Sequence, residues 1–215
     1  MINKTIIFSA VVVVLALGAA ASFFYYAPKE ELSDNPPLGL EILDEKKVEN
    51  KEEPTKESSS GILAKDGFSI NLPEGWKEKT NPPGGALVLV AKENEVITDE
   101  KAKELDFASY FSVNSDSLET YTFEEYIEEI KTLLVQTIVN IDFVKEEEGE
   151  IDGKKALFVE CESAQKEVDF KTLLVFINEA DKTIWAISFN TIQDKWPEYR
   201  DLFYRTAESF KLQLN

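Results

Sequence analysis

The 215-residue chain carries 41 acidic against 23 basic residues, a formal charge of −18, with no histidine and a single cysteine. Such a surface repels nucleic acid and anionic headgroups, because non-specific phosphate binding rests on Lys and Arg displacing counterions. Without imidazole there is no Ser-His-Asp or Cys-His nucleophile, no His-ligated zinc or haem, and no imidazole to titrate near neutral pH. An enzyme built on this chain would have to run on carboxylates, Lys, Tyr or an oxygen-ligated metal.

Thr5 to Tyr26 is a run of 22 residues without a charged side chain. At about 1.5 Å per helical residue it reaches roughly 33 Å, enough for a hydrocarbon core of ~30 Å. The expectation is an N-terminal transmembrane signal-anchor within residues 1–27, with the aromatic residues Phe23 to Tyr26 at the interface. Lys4 and the amino terminus favour a cytoplasmic N-terminus, which places the C-terminal domain outside the cytoplasm at the cell membrane. The alternative is a cleaved secretory signal, with Ala19-Ala20-Ala21 offering a cut near Ala21. No cysteine lies near Ala21 to accept a lipid.

Residues 28–60 hold ten acidic, five basic and four proline residues, a composition that reads as a flexible acidic linker. Within it, Leu40-Glu41-Ile42-Leu43 is a candidate partner-binding peptide. From Gly61 the pattern turns globular and predicts one domain over 61–215. Phe68, Ile70 and Leu72 alternate as a strand between the Asp66-Gly67 turn and Pro73-Glu74-Gly75. Trp76 is expected to cap the edge of the core. Ala86 to Ala91 reads as a strand covered on both faces, and Glu93 to Asp106 as a surface loop with a short helix. Phe107, Phe111 and Val113 mark another strand, left at Asn114. Thr122-Phe123-Glu124-Glu125 is a capping box opening an amphipathic helix through Phe123, Tyr126, Ile127, Ile130, Leu134 and Ile138. A meander follows: Ile141 to Ile151 and Lys155 to Glu162 around the Asp152-Gly153 turn, then Val168 to Asn178 and Thr183 to Asn190. Cys161 shares a strand face with Leu157 and Val159 and reads as a small core hydrophobe. A last helix begins near Trp196-Pro197. The whole is an α+β fold, an antiparallel β-sheet flanked by helices.

The stretch GFSINLPEGW (Gly67 to Trp76) resembles the opening of PsbP-like and DcrB-like domains. Looser similarity runs through Asp152 to Ala156, Ile184 to Phe189 and Ser209 to Leu212. The resemblance implies an α/β/α sandwich of exported accessory or binding proteins, among them an extrinsic photosystem II subunit and envelope lipoproteins. It brings no shared catalytic motif, so no catalytic, cofactor-binding or metal-ligating residue is assigned. The leading expectation is a membrane-anchored extracytoplasmic accessory domain without catalysis or cofactors, its partner a protein or envelope component. One alternative is divalent-cation (calcium) binding through Asp99, Glu100, Glu104 and Asp106, or Asn114 and Asp116, although neither stretch has the twelve-residue calcium loop. A carboxylate-based hydrolase is the other, and it needs two acids at a fixed separation.

Overall fold

The computed structural model describes residues 61–82, 86–118, 120–179 and 183–213. The transmembrane helix expected in 1–27 and the linker expected over 28–60 lie outside the described residues. No helix among the described residues is long and apolar enough to cross a membrane.

The opening motif folds as a hairpin, β1 (Gly61–Lys65) against β2 (Phe68–Leu72), joined by the Asp66-Gly67 turn. Gly67 has φ +89°, and a Cβ there would lie 3.3 Å from the Trp185 ring. Gly75, at φ +74°, leads into β3 (Trp76–Glu78); a Cβ on it would come within 2.8 Å of the Lys92 ammonium. Both glycines of the motif therefore answer a backbone need that side-chain-bearing residues meet poorly.

β4 (Val88–Lys92) pairs with β3, and helix α1 (Glu100–Glu104) sits in the loop before β5 (Tyr110–Ser117). Helix α2 (Phe123–Thr137) follows, with both halves of the capping box formed between Thr122 and Glu125. Four long antiparallel strands come next: β6 (Asp142–Ile151), β7 (Lys154–Gln165), β8 (Val168–Asn178) and β9 (Thr183–Ile192). Helix α3 (Trp196–Glu208), with proline in its first turn, leads to the short strand β10 (Lys211–Leu212).

The strands make a seven-stranded antiparallel sheet, β3-β4-β5-β9-β8-β7-β6, and a three-stranded one, β1-β2-β10. Side-chain parity divides the large sheet into two faces. Val88, Phe111, Phe158, Leu173, Val175, Ile187 and Phe189 form one core with the β1–β2 hairpin and α3. Val159, Cys161, Leu174, Phe176, Ile184 and Ala186 form a second core beneath α2. The fold is thus an antiparallel sheet with helices, as expected.

Several local expectations are corrected. Trp76 stands on the edge strand β3 but is 1% exposed and edge-on to Tyr199 and Phe203, deeper in the first core than a cap on its rim. The strand expected over 86–91 begins at Val88, and its second face is covered only in part, with Leu87 exposed, Leu89 half-buried and Ala91 buried. β5 does not end near Asn114 but runs to Ser117, because β9 offers a partner at every position.

Candidate functional site

Helix α3 presents three rows of side chains, each spaced by about one turn. Tyr199, Phe203 and Ala207 point into the first core. On one flank, Trp196, Arg200 and Tyr204 meet a charged cluster on the sheet. On the other, Leu202 and Arg205 face the β1–β2 hairpin across a groove.

The charged cluster is built by two residues whose strand positions would ordinarily be apolar. Glu160 follows Phe158 on the α3 side of β7, and Lys171 precedes Leu173 on that side of β8; they are 6% and 4% exposed. Lys171 Nζ lies 3.3 Å from Glu160 and 2.8 Å from Glu162. The Tyr204 hydroxyl donates to Glu160 Oε1 at 2.9 Å, and Arg200 Nε stands 3.5 Å from the same oxygen. Lys171 also sits over the Trp196 ring at 5.4 Å, and Arg200 over Tyr204 at 5.0 Å. The hydrogen bond from Lys171 holds the Glu162 carboxyl below the usual carboxylate range. Burial, reinforced by the bond to Glu160, pushes the Tyr204 hydroxyl above the ordinary tyrosine range. Each charge here has a counter-charge and donors or acceptors already engaged, the condition under which buried ions are tolerated. Its physical effect is to pin α3 to the sheet.

With α3 so fixed, its free flank and the hairpin leave an open groove of about 480 Å³. Gly61, Ile62, Leu72 and Pro73 form one wall, and Leu202 and Arg205 the other. The Asn71 amide donates to Ser209 Oγ at 2.9 Å, and Ser209 Oγ donates to the Thr206 carbonyl, so a side-chain clamp sets the width of the groove. Ile62 is 73% exposed although aliphatic. Arg205 is exposed and forms no ion pair with any described residue. In a strongly acidic chain, where most described lysines hold carboxylates, an unengaged guanidinium beside exposed aliphatic surface is a feature of recognition chemistry.

The carboxylates considered for cation binding are occupied differently. Asp99 caps α1, accepting from the Ala102 amide at 2.7 Å. Glu100 is paired with Lys103 at 2.6 Å and Glu104 with Lys101 at 3.2 Å, while Asp106 is exposed in a left-handed turn. Asp116 accepts from the Tyr126 hydroxyl at 2.9 Å and from the Ser117 amide. Asn114 is buried on the α2 face, its Oδ1 without a hydrogen-bond partner. Among the described residues no three acidic or cysteine side chains gather in a metal-binding arrangement. Asp142, Glu162 and Asp169 rim a shallow depression of about 340 Å³ at the β6–β8 end, with Glu162 drawn toward Lys171. Cys161 lies under α2, where burial pushes its thiol up to about 12. The small, partly open pocket beside it, about 20 Å³, has room for a single water.

Glu160, Lys171, Arg200, Tyr204, Ile62 and Arg205 escape sequence reasoning. Two signals could have found the cluster: an ionisable residue at an inward position of each of two apolar strands, and the four-residue spacing of Trp196, Arg200 and Tyr204 on one helix.

The PsbP family model matches residues 63–212, from β1 through β10. The chain belongs to the PsbP family. Among solved structures, LpqN of Mycobacterium tuberculosis, described as involved in cell envelope biogenesis, matches with a TM-score of 0.52 at 6% identity, over 73% of this chain and 91% of that one. The Pseudomonas aeruginosa protein of unknown function PA94 matches at 0.51 and 11% identity, over 74% of this chain and all of that one. The PsbP of the cyanobacterium Synechocystis, CyanoP, reaches 0.48 at 15% identity, over 75% and 98% of the two chains. At these identities the structural matches speak to the fold. No curated protein matches the chain in sequence. Membership of the PsbP family is compatible with a non-catalytic, accessory role.

Proposed function

We propose that this PsbP-family domain is carried outside the cytoplasm on its N-terminal apolar segment and works there by contact, as an accessory or binding module. The observation that carries the reading is how the site is divided. Glu160, Lys171 and Glu162 are locked against one another under α3, whereas the other flank of that helix borders an open groove with aliphatic walls and an arginine that forms no ion pair with any described residue. That surface suits a peptide or protein segment offering aliphatic side chains and a carboxylate, since burial supplies affinity and the arginine fixes orientation. Support for the location comes from the length of Thr5 to Tyr26 and from LpqN, a structural relative tied to the cell envelope.

The test is protease treatment of intact cells producing the full-length protein, followed by co-purification of wild type and an Ile62→Asp/Arg205→Glu variant from solubilised membranes. The reading expects the domain to be digested from outside. It also expects a co-purifying species with the wild type that the groove variant loses. A protected domain, or identical recoveries from the two proteins, contradicts it.

A further inference from the structure

The groove that stands ready for a partner lies where the acidic tether joins the domain: Gly61, the first described residue after residue 60, forms part of its wall. Its chemistry is specific enough to ask what in the chain itself would fit. It needs a short aliphatic stretch for Ile62, Leu72, Pro73 and Leu202, and a carboxylate for Arg205. Residues 28–60 contain six aliphatic residues larger than alanine, and four of them, Leu38, Leu40, Ile42 and Leu43, fall within one six-residue window. Glu41 and Asp44 lie inside and directly after that window. The remainder of the tether has only Leu32 and Val48 as isolated aliphatic residues, and most of its charge is negative.

We infer that the tether segment Leu38 to Asp44 docks in cis into the groove between the β1–β2 hairpin and α3, with its aliphatic side chains on Ile62, Leu72 and Leu202 and a carboxylate on Arg205. Reach is not limiting. Residues 45–60 span a root-mean-square distance of about 20–24 Å when they behave as a flexible chain, at ~5–6 Å times the square root of the residue number. Linkage of that length holds the segment at an effective concentration on the order of millimolar, so even a contact too weak to survive between separate molecules is populated within one. Charge sorts the candidates: the polar stretch next to the domain, Glu52-Glu53-Pro54-Thr55-Lys56, offers carboxylates but no aliphatic surface, and Thr5 to Tyr26 offers no carboxylate. The consequence is a self-masked surface. Any partner of the groove competes with the tether, and a partner that wins releases the full length of the tether, letting the domain stand further from the membrane.

The inference shares the groove with the proposed function but requires no partner, so it is tested on the purified full-length protein alone, in detergent micelles, with isotope-labelled Ile and Leu methyl groups. In the Leu40→Ser/Ile42→Ser/Leu43→Ser variant the substitutions lie outside the folded domain. The inference expects the Ile62 and Leu72 methyl resonances to move relative to wild type, independently of protein concentration, while that of Ile130 beneath α2 stays in place. Arg205→Glu gives the same movement, and adding Glu41→Lys and Asp44→Lys to it reverses the movement. Coincident wild-type and variant spectra overturn the inference. So does movement that scales with protein concentration, which marks a second copy as the occupant. Loss of co-purifying partners with these spectra unchanged refutes cis docking and leaves the binding role standing.

Discussion

Lys171→Met is the sharpest probe of the cluster that fixes α3. Methionine keeps most of the side-chain volume and removes the charge. It leaves Glu160, whose side chain is 8% exposed, with the Tyr204 hydroxyl and an Arg200 guanidinium 3.5 Å away and 42% exposed. Breaking a buried pair from one side costs about 3–5 kcal/mol, because the remaining charge keeps its desolvation penalty. Arg200 offsets part of this, so the lower end, about 3 kcal/mol, applies. With a urea slope of ~2 kcal/mol/M that is a fall in midpoint of about 1.5 M. The assay is urea unfolding followed by tryptophan fluorescence, since Trp76 and Trp196 both contact α3 residues. Glu160→Leu combined with Lys171→Met removes both charges and is expected to recover about 2 kcal/mol relative to Lys171→Met alone, as replacing a whole buried pair is near neutral. A single-variant loss below ~1 kcal/mol, or a double variant as unstable as the sum of its parts, refutes the view that a compensated buried charge pair holds the helix.

Because Lys171 depresses the Glu162 pKa, the folded state gains stability that is present above the unfolded carboxylate pKa of about 4.3 and is lost as pH falls through the lower folded value; Glu162→Gln flattens this acid limb in pH-dependent unfolding. Cys161, 3% exposed and with its thiol pushed up to about 12, is expected to resist iodoacetamide in the native protein at pH 8 and to react fully in urea; native-state labelling would contradict its burial. The β7–β8 turn places Lys166 and Glu167 at φ 51° and 65° without a glycine, so Glu167→Gly should raise stability by about 1 kcal/mol, the relieved left-handed strain outweighing an exposed 3.8 Å contact with Lys101. Gly67→Ala should lose more than ~1 kcal/mol, from positive φ and from crowding on Trp185.

Much of the fold is legible in the sequence where local chemistry and tertiary structure agree. Thr122 and Glu125 announce α2 because their hydrogen bonds are local, and Asp152-Gly153 announces a hairpin because both residues take positive φ. β1 is missed because Gly61 to Lys65 has no buried face of its own and becomes a strand by pairing with β2. The end of β5 is misplaced because Asn114-Ser115-Asp116-Ser117 has the composition of a loop while β9 supplies its ladder. Lys166-Glu167 gives no turn signal because the hairpin imposes its conformation. The candidate site is less legible. A groove between a hairpin and a helix far apart in sequence depends on a charge cluster uniting β7, β8 and α3, and no local pattern encodes that meeting.

Contact through the groove is tested most directly by placing a photo-crosslinking amino acid at position 62 of the full-length protein in intact cells, with position 147 on the edge strand β6, outside the groove lining, as the control. Illumination is expected to yield a discrete adduct to another protein from position 62 and none from position 147, with the adduct sensitive to protease added outside the cell. Equal labelling from both positions, or an adduct formed only inside the cytoplasm, contradicts the account.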